Sequence, residues 1–255
     1  MCSVCGCGPG THHAHLGHEH AGQEHIGHEH HDLVLIEKDI LAKNDVYAEA
    51  NRERFERLGV FALNLVSSPG SGKTTLLVNT IGALKKRLSV AVIEGDQQTS
   101  IDADRIRATG VPSVQVNTGR GCHLDAHMVE HAMEDLPLVR NSVLFIENVG
   151  NLVCPASFDL GEAQKVAILS VTEGDDKPLK YPDMFAAATT VVISKIDLLP
   201  YVDFNVERCI GHLGSINPDL DIFQLSATTG EGMEAWIEML TSAADHSAKE
   251  ALCHA

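Results

Sequence analysis

Residues 67–75 read SSPGSGKTT, and this short segment constrains the fold more than any other part of the chain. It follows an apolar run over 60–66 that is typical of a buried strand, and it precedes an apolar stretch that begins a helix. A strand, a glycine-rich turn and a helix that opens on Gly-Lys-Thr form the context of a phosphate-binding loop. We therefore predict a nucleotide site whose phosphates are held by Gly70, Ser71, Gly72, Lys73, Thr74 and Thr75.

The residue types in this loop suit phosphate chemistry. Glycines let backbone N–H groups turn towards phosphate oxygens, and the positive end of the following helix dipole favours the anion. Lys73 would reach the outer phosphates, and the Thr74 hydroxyl would ligate Mg²⁺. Ser67 stands where the usual pattern has its first glycine, and the alternative interpretation is an ordinary strand-to-helix turn.

Composition narrows the possible partners. The formal net charge of -16 argues against general nucleic-acid binding, which requires a basic face. No apolar run is long enough to span a membrane, and the N-terminus lacks the apolar region of a signal peptide. We expect a cytoplasmic protein without a nucleic-acid or membrane partner. Cysteines in that reducing compartment are metal ligands or free thiols more often than disulfides.

From residue 60 onward, strand and helix patterns alternate. Apolar runs predict strands over 60–66, 90–93, 114–116, 143–146, 166–171, 191–193 and 222–225. Helical patterns fall between most of them, near 74–88, 101–109, 122–136, 206–213 and 233–244. This alternation predicts an α/β fold of the P-loop NTPase type, in which a mostly parallel sheet is flanked by helices. Ligands of such sheets bind at the carboxyl ends of the strands.

The chain divides into four predicted regions. Residues 1–31 form a tail with nine of the fifteen histidines and three of the seven cysteines, and we expect this tail to be disordered without metal. Residues 32–59 are predicted to be a helical segment that packs on the main domain or on a second copy of it. The P-loop domain is predicted over 60–245, and 246–255 are predicted to be a loose C-terminal tail.

Carboxylates follow two of the predicted strands. Asp96 comes after the strand 90–93, and Glu147 comes after the strand 143–146. Either carboxylate could reach Mg²⁺ or orient water, with Asp102 as a competitor, and we count Lys73, Asp96 and Glu147 as candidate catalytic residues. Taken singly, each carboxylate could also be a solvated strand end or a helix cap.

The segment that would recognise the nucleotide base is Ser194-Lys195-Ile196-Asp197, at the end of another predicted strand. The Asp197 carboxylate can accept two hydrogen bonds from the guanine edge, whereas adenine presents no such pair of donors there. The Lys195 stem can lie on the base, and backbone N–H groups near Ser226 and Ala227 could meet the guanine oxygen. We therefore predict GTP as the nucleotide. Neither a water-orienting glutamine nor an arginine finger within the chain is identifiable, so we expect slow hydrolysis.

Soft ligands are grouped in two places. Cys2, Cys5 and Cys7, with the N-terminal amine, could hold square-planar Ni²⁺ or tetrahedral Zn²⁺, and the sequence does not choose between them. The histidine tract over 11–31 could buffer several divalent ions weakly.

A second group lies inside the GTPase domain. Cys122 and His123 open a predicted helix, and Cys154 follows Glu147 by seven residues. These residues could form an incomplete metal site that water, Asp125 or a second subunit completes, and buried core cysteines are the alternative. His127 and His131 are spaced to continue from His123 along a helix, although a solvated helix face is the simpler interpretation.

The motifs together resemble the HypB family, the hydrogenase nickel-incorporation GTPases, over essentially the whole chain. The most specific segments are GCHLD at 121–125 and ENVGNLVCP at 147–155, which also separate this chain from the related urease nickel GTPases. The resemblance implies a GTP-dependent homodimer that delivers Ni²⁺ during [NiFe]-hydrogenase maturation. It also implies an interface metal site at Cys122, His123 and Cys154, and a tighter nickel site at Cys2, Cys5 and Cys7.

The resemblance further implies partners and a nucleotide-contacting loop. The partners are a HypA-type nickel metallochaperone and, directly or indirectly, the hydrogenase large subunit. The loop at 174–180 would contact nucleotide near the second subunit. In the resulting hypothesis, GTP and Mg²⁺ order the loops around Asp96 and Glu147 and thereby change the metal site. The rival hypotheses are a metal-storage or metal-sensing protein with a vestigial nucleotide site, and an ATP-dependent enzyme that uses the same loop.

Overall fold

The computed structural model describes residues 25–96, 101–119 and 121–253, with side chains from residue 38 onward. Its helices are α1 His25–Leu58, α2 Lys73–Leu84, α3 Ile101–Arg107, α4 Ala126–Asp135, α5 Lys177–Lys180, α6 Pro182–Ala187, α7 Val206–Ile216 and α8 Met233–Cys253. Its strands are β1 Phe61–Ser67, β2 Ser89–Asp96, β3 Ser113–Asn117, β4 Ser142–Gly150, β5 Gln164–Ser170, β6 Thr190–Ser194 and β7 Asp221–Leu225. Short 3₁₀ turns span Cys154–Ala156 and Ile196–Tyr201.

The strands form one sheet in the order β3-β2-β4-β1-β5-β6-β7, and each neighbouring pair runs parallel. After β1 the chain builds one half of the sheet as far as β4, and it then crosses to the other side of β1 to build β5, β6 and β7. The switch point of the sheet therefore lies at β1, whose carboxyl end carries the phosphate loop. The prediction of a parallel P-loop sheet is confirmed.

Helices cover both faces of the sheet. Because alternate residues of the central strands point to opposite sides, each strand contributes apolar side chains to both faces. Leu63, Leu65 and Phe145 pack on one face with α2 and α8, whose Trp236 is buried there. Trp236 Nε1 donates to Thr80 Oγ1 over 2.9 Å, so its one polar atom is satisfied. The opposite face is covered by α1 and α4 beside β4, and by α6 and α7 beside β5 and β6.

Helix α1 does more than cover apolar surface. The side chain of Asn44 donates to Asp159 O over 2.7 Å and accepts from Ala126 N over 2.9 Å. The Asn51 side chain donates to Ala126 O over 2.9 Å and to Leu160 O over 3.1 Å. Two buried amides of α1 thus connect the first residue of α4 to the chain before β5. The predicted packing of this segment on the main domain is what the structure shows.

Three predicted boundaries differ from the structure. Helix α4 begins at Ala126 rather than at 122, because the Asp125 carboxylate caps it by accepting from Met128 N over 2.8 Å. The loose tail predicted after 245 is wrong as far as Cys253, because α8 continues there and buries Ala251. Helix α1 begins at His25, so the predicted boundary at 31 falls within it.

The structure also adds the short helices α5 and α6, which the sequence did not predict. Among the described residues, no helix is both long and apolar enough to cross a lipid bilayer.

Candidate functional site

The phosphate loop joins β1 to α2 with two glycines in left-handed conformations. Gly70 has φ +77° and Gly72 has φ +95°, where a side chain would strain the backbone. Lys73 and Thr74 open α2, so their backbone N–H groups lie in its first turn. The local sequence folds this way because the apolar strand ends at Ser67 and the glycines permit the reversal.

The loop borders a cleft of about 550 Å³ at the carboxyl edge of the sheet. The cleft brings together the predicted phosphate-binding residues Gly70–Thr75 and the predicted residues Asp96, Glu147 and Lys195. Asp197, Ser226 and Ala227 do not line this cleft, although they follow β6 and β7 at the same edge of the sheet.

Glu147 is bound to both polar residues that open α2. Its Oε1 accepts from Thr74 Oγ1 over 2.6 Å and from Lys73 Nζ over 3.2 Å. The carboxylate is nearly inaccessible, with 3% of its side chain exposed. This places Glu147 where the sequence predicts it, at the loop that would hold the phosphates and their cation.

Glu94 is a further carboxylate of this cleft, which the prediction did not single out. It lies on β2 two residues before Asp96 and is 4% exposed. Burial raises its pKa to about 8, repulsion from Glu147, Asp96 and Asp102 adds to the rise, and Lys73 opposes it. A carboxyl held in this way would release its proton when a cation enters the cleft.

The cleft chemistry fits Mg²⁺. Among the described residues, Ser71 Oγ, Glu94 Oε2 and Glu147 Oε2 are buried side-chain atoms without a hydrogen-bond partner, and all three residues line the cleft. Hard oxygen ligands of this kind are those that Mg²⁺ prefers, together with phosphate oxygens. Unsatisfied buried polar atoms are costly, so a ligand that pairs them would bind favourably.

An arginine that the sequence did not single out also reaches the cleft. Arg105 on α3 donates to Thr75 Oγ1 over 2.9 Å and lies 3.2 Å from Asp102. The sequence does not indicate this approach, because it depends on how α3 packs beside α2.

Ser194 and Lys195 brace the phosphate loop from β6. Ser194 Oγ donates to Ser71 O over 2.8 Å, and Lys195 Nζ donates to Gly70 O over 2.6 Å. Lys195 adopts the left-handed conformation with φ +60°, which turns the chain into the 3₁₀ helix that carries Asp197. Ser194 therefore contacts the phosphate loop directly.

The turn after β7 is also fixed by its own polar groups. Ser226 Oγ accepts from Thr228 N over 3.2 Å and from Thr229 N over 3.1 Å. Asn79 of α2 donates to Ala227 O over 2.7 Å, which ties this turn to the nucleotide side of the sheet.

The internal metal-ligand group assembles as predicted. One ligand atom from each of Cys122, His123 and Cys154 lies within 4.8 Å of the other two. Cys122 Sγ is 3.6 Å from His123 Nδ1, and the cysteines are half-buried rather than part of the core. Two soft sulfurs and an imidazole suit Ni²⁺ or Zn²⁺, and three ligands leave room for another.

The environment of His123 keeps the imidazole available as a ligand. Burial lowers its pKa, and the nearby Asp125 carboxylate opposes this effect. Its ring packs on Phe158 with the centroids 4.0 Å apart. A neutral imidazole in a fixed orientation can donate a nitrogen lone pair to a metal. Asp125, a predicted alternative for the fourth ligand, uses one carboxylate oxygen to cap α4.

A buried polar chain joins the two candidate sites, and the sequence did not predict it. Asn148 Oδ1 accepts from Leu124 N over 2.9 Å, and Asn148 Nδ2 donates to Asn64 Oδ1 over 3.2 Å. Asn64 in turn donates to Glu162 Oε1 over 3.1 Å. Lys165 Nζ lies 3.7 Å from the same Glu162 oxygen.

Lys165 carries this chain to the segment that follows Cys154. Its Nζ donates to Pro155 O over 3.1 Å, to Ala156 O over 3.2 Å and to Phe158 O over 2.9 Å. The signal in the sequence is the presence of polar residues inside apolar strands, Asn64 in β1 and Lys165 in β5.

The loop expected near a second subunit carries two paired lysines. Lys177 lies 3.6 Å from Glu173 and over the Tyr181 ring, whereas the exposed Lys180 lies 2.6 Å from Asp176. Cys2, Cys5 and Cys7 lie outside the described residues.

Comparisons with known proteins identify the family of this chain. The family model for the CobW/HypB/UreG nucleotide-binding domain matches residues 61–224. The hydrogenase maturation factor HypB of Rhizobium leguminosarum bv. viciae is 66% identical over 210 residues, which cover 81% of this chain and 70% of the relative. HypB of Escherichia coli strain K12 is 59% identical over 226 residues, covering 89% of this chain and 78% of the relative.

A solved structure extends the likeness to three dimensions. The crystal structure of HypB from Helicobacter pylori in complex with nickel superposes with a TM-score of 0.75 at 42% identity, covering 81% of this chain and 97% of that one. On the identity, the coverage and the shared fold, this chain belongs to the HypB family of hydrogenase maturation factors.

Proposed function

We propose that this chain is a GTP-hydrolysing nickel metallochaperone for [NiFe]-hydrogenase maturation, in which nucleotide state controls dimerisation and metal binding. The observation that carries the proposal is the hydrogen bond between Asn148 and Leu124. It connects the strand that carries Glu147 to the residue that follows His123. Nickel is the cargo in this proposal, and GTP with Mg²⁺ supplies the switch.

The cleft supports the nucleotide half of the proposal. The glycine-rich loop and the first turn of α2 would hold the phosphates, with Lys73 on the outer ones. Thr74, Glu147 and Asp96 are the candidate holders of Mg²⁺, whose chemistry would be to neutralise charge on the phosphate oxygens. Glu94 adds a carboxyl whose proton can be displaced. Arg105 is near enough to Thr75 to stabilise developing phosphate charge once nucleotide is bound.

Guanine recognition rests on Asp197 and on the bracing of its loop. The contacts of Ser194 and Lys195 to the phosphate loop set the distance between the phosphate loop and the segment that carries Asp197. A carboxylate there would pair with two donors of guanine and would face no such pair on adenine. The backbone near Ser226 and Ala227 would close the base pocket.

Coupling between the sites follows from two contacts at one residue. Leu124 donates its N–H to Asn148, and its side chain fills the space beside Gly95, where an added Cβ would lie 2.6 Å from Leu124 Cγ. Gly95 lies between Glu94 and Asp96, and Asn148 follows Glu147. A shift of either carboxylate-bearing strand towards a nucleotide-bound cation would therefore move the backbone beside His123. Such coupling must be reciprocal between the two ligands.

A metal site with three ligands from one chain can accept a fourth ligand from a second subunit, or pass its ion to an acceptor. Cys122, His123 and Cys154 provide three ligands, so the fourth position could be taken by water, by a partner chain or by an acceptor. We propose that a second copy of this chain approaches this face when GTP is bound. A HypA-type metallochaperone and the hydrogenase large subunit would exchange nickel with the protein, and Cys2, Cys5 and Cys7 would form a separate nickel site.

Nickel affinity in two nucleotide states tests the proposal. The full chain is titrated with Ni²⁺ in the GDP form and in the form bound to a non-hydrolysable GTP analogue. We expect the affinities to differ and the difference to be lost in Cys122→Ser. Cys253→Ser changes an exposed thiol on α8 and should preserve the difference. Equal affinities in the two wild-type states would contradict the coupling.

A further inference from the structure

A buried ammonium group holds the turn that follows Cys154. Lys165 lies in β5, and only 9% of its side chain is exposed. Its Nζ donates to three backbone carbonyls of that turn, which belong to Pro155, Ala156 and Phe158. An ammonium has three hydrogens to donate. The turn therefore takes up the whole donor capacity of a side chain that comes from the sheet.

Fold stability alone gives little reason for a lysine at this position. The charge of Lys165 is balanced by Glu162, whose Oε1 lies 3.7 Å from Nζ and whose side chain is 5% exposed. A buried ion pair is often no more stabilising than apolar side chains of similar volume, because both charges lose their hydration. Glu162 and Lys165 are therefore better explained by what they hold in place than by the stability they add.

The turn held by Lys165 carries one candidate metal ligand and supports another. Cys154 directly precedes Pro155, the first residue whose carbonyl accepts from Lys165. Phe158, whose carbonyl also accepts from Lys165, packs its ring on that of His123 with the centroids 4.0 Å apart. A displacement of this turn would therefore move the Cys154 thiol and remove the surface on which the His123 imidazole rests.

We propose that Lys165 is a positioning residue for the metal group, and this inference rests on the proposed function, in which Cys122, His123 and Cys154 hold nickel. The three ligand atoms lie within 4.8 Å of one another. Ligands that are already close together bind an ion more tightly, because less conformational freedom is lost on binding. Lys165 is not itself a ligand, since a protonated ammonium has no lone pair to donate. It acts through the backbone of the turn, by keeping Cys154 beside Cys122 and His123.

Residue-resolved alkylation tests this role in the full chain. Iodoacetamide modifies accessible thiols, and mass spectrometry reports the extent at each cysteine separately, so the thiols near the N-terminus do not obscure the result. With increasing Ni²⁺ and no nucleotide, we expect alkylation of Cys122 and Cys154 to fall together in the wild type. Cys253 on α8 is exposed and serves as the internal reference that Ni²⁺ should not protect.

Two variants remove the ammonium group. Lys165→Met keeps an unbranched side chain, but it leaves the Glu162 carboxylate buried without its cation, which can prevent folding. Lys165→Met combined with Glu162→Gln removes both charges and keeps the interior neutral. In each folded variant, the Ni²⁺ concentration that half-protects Cys154 should rise by about tenfold or more, as is usual when an outer partner of a metal ligand is lost. Without Ni²⁺, alkylation of Cys154 relative to Cys253 should also become faster than in the wild type.

Thr80→Val is the control for a loss of stability alone. It removes the hydroxyl that accepts from Trp236 Nε1 over 2.9 Å, on the face of the sheet opposite to Lys165, and it should leave both measurements of Cys154 unchanged. The role of Lys165 is overturned if half-protection of Cys154 is unchanged in a folded variant, or if Thr80→Val shifts it equally. If Ni²⁺ protects neither Cys122 nor Cys154 in the wild type, the proposed nickel site fails instead. Alkylation without Ni²⁺ then decides, since faster modification of Cys154 in the Lys165 variants supports positioning and an unchanged rate overturns it.

Discussion

Asn148 Oδ1 accepts a hydrogen bond from Leu124 N over 2.9 Å, and this bond connects the residue after Glu147 in the cleft to the residue after His123 in the candidate metal group. Asn148 follows Glu147, which binds the residues that open α2, and Leu124 follows His123. The same Asn148 oxygen also accepts from its neighbour Val149 N over 3.0 Å. A buried amide with every polar atom engaged transmits displacement better than an apolar contact, because breaking its bonds is costly.

Asn148→Ala should uncouple nickel affinity from nucleotide state. The change removes the bonds to Leu124 and Asn64 and should lower the free energy of unfolding by about 2–6 kcal/mol, at about 1–3 kcal/mol for each of the two buried groups left unpaired. Nickel affinities measured with GDP and with a GTP analogue should then agree with each other.

Asn217→Ala is the matched control for this change. Its side chain donates to Ala188 O over 3.1 Å near β6, towards the opposite edge of the sheet from Leu124, which lies beside β2, so the change should lower stability without removing the nucleotide effect. A full nucleotide effect in a folded Asn148→Ala protein would exclude Asn148 as the connection.

Glu94→Gln should flatten the pH dependence of stability. Between its ordinary pKa of 4.5 and about 8, the folded protein holds a proton on Glu94 that the unfolded chain releases. The unfolded state binds fewer protons in this window, so the free energy of unfolding falls as pH rises. Glutamine carries no titratable proton. Across the window, the free energy of unfolding of the variant should therefore fall by about 1–2 kcal/mol less than that of the wild type. This difference is smaller than the full effect of the pKa shift, because the cleft is open to water and water screens the charges.

Urea denaturation at a series of pH values, without Mg²⁺ or nucleotide, measures this difference. Glu56→Gln alters an exposed carboxylate on α1 and should keep the slope of the wild type. Parallel slopes for wild type and Glu94→Gln would show that Glu94 is not the group that titrates.

The phosphate loop and the alternation of strands and helices were predictable because each is carried by a short-range pattern. The group at Cys122, His123 and Cys154 was predictable because both segments follow predicted strands, whose carboxyl ends meet at one edge of a parallel sheet. Strand periodicity, glycine spacing and the residue types that bind metals can each be recognised within a few neighbouring residues. The roles of Asn44 and Asn51 were not predictable, because their partners Ala126, Asp159 and Leu160 lie far away in the sequence.

The C-terminal tail was mispredicted for a related reason. Residues 246–253 have few large apolar side chains, and what holds the helix there is the close packing of the small Ala251 beside Gly59. A Cβ added to Gly59 would lie 3.1 Å from Ala251 Cβ. A contact between two small residues leaves almost no hydrophobic signal in the sequence.

Lys73→Ala should abolish nucleotide-dependent function while sparing metal binding. Lys73 Nζ is 3.2 Å from Glu147 and is the cation expected on the outer phosphates. We expect GTP affinity to fall by at least about tenfold, since charge-assisted bonds to phosphate contribute about 1.5–3 kcal/mol. Total nickel bound by the full chain should stay the same.

Lys85→Ala removes a lysine from the far end of α2, where its Nζ donates to Thr109 O over 2.7 Å, and it should leave GTP affinity intact. Hydrogenase maturation in cells that carry each variant separates a switch from a storage protein. Full maturation with Lys73→Ala would favour storage with a vestigial nucleotide site.

Asp197→Asn should weaken GTP binding selectively and narrow the preference for GTP over ATP. The carboxylate is expected to accept from two guanine donors, and an amide can accept from only one while its N–H₂ group faces the other. Each unpaired polar group costs about 1–3 kcal/mol, which corresponds to a loss of about 5-fold to 150-fold in GTP affinity. ATP affinity should change little or rise. Affinities for both nucleotides, measured by competition against a fluorescent GTP analogue, give the ratio directly, with the exposed Asp219→Asn as the control. If both affinities fell equally, Asp197 would act on loop structure rather than on the base, and an ATP-dependent enzyme would again be the better hypothesis.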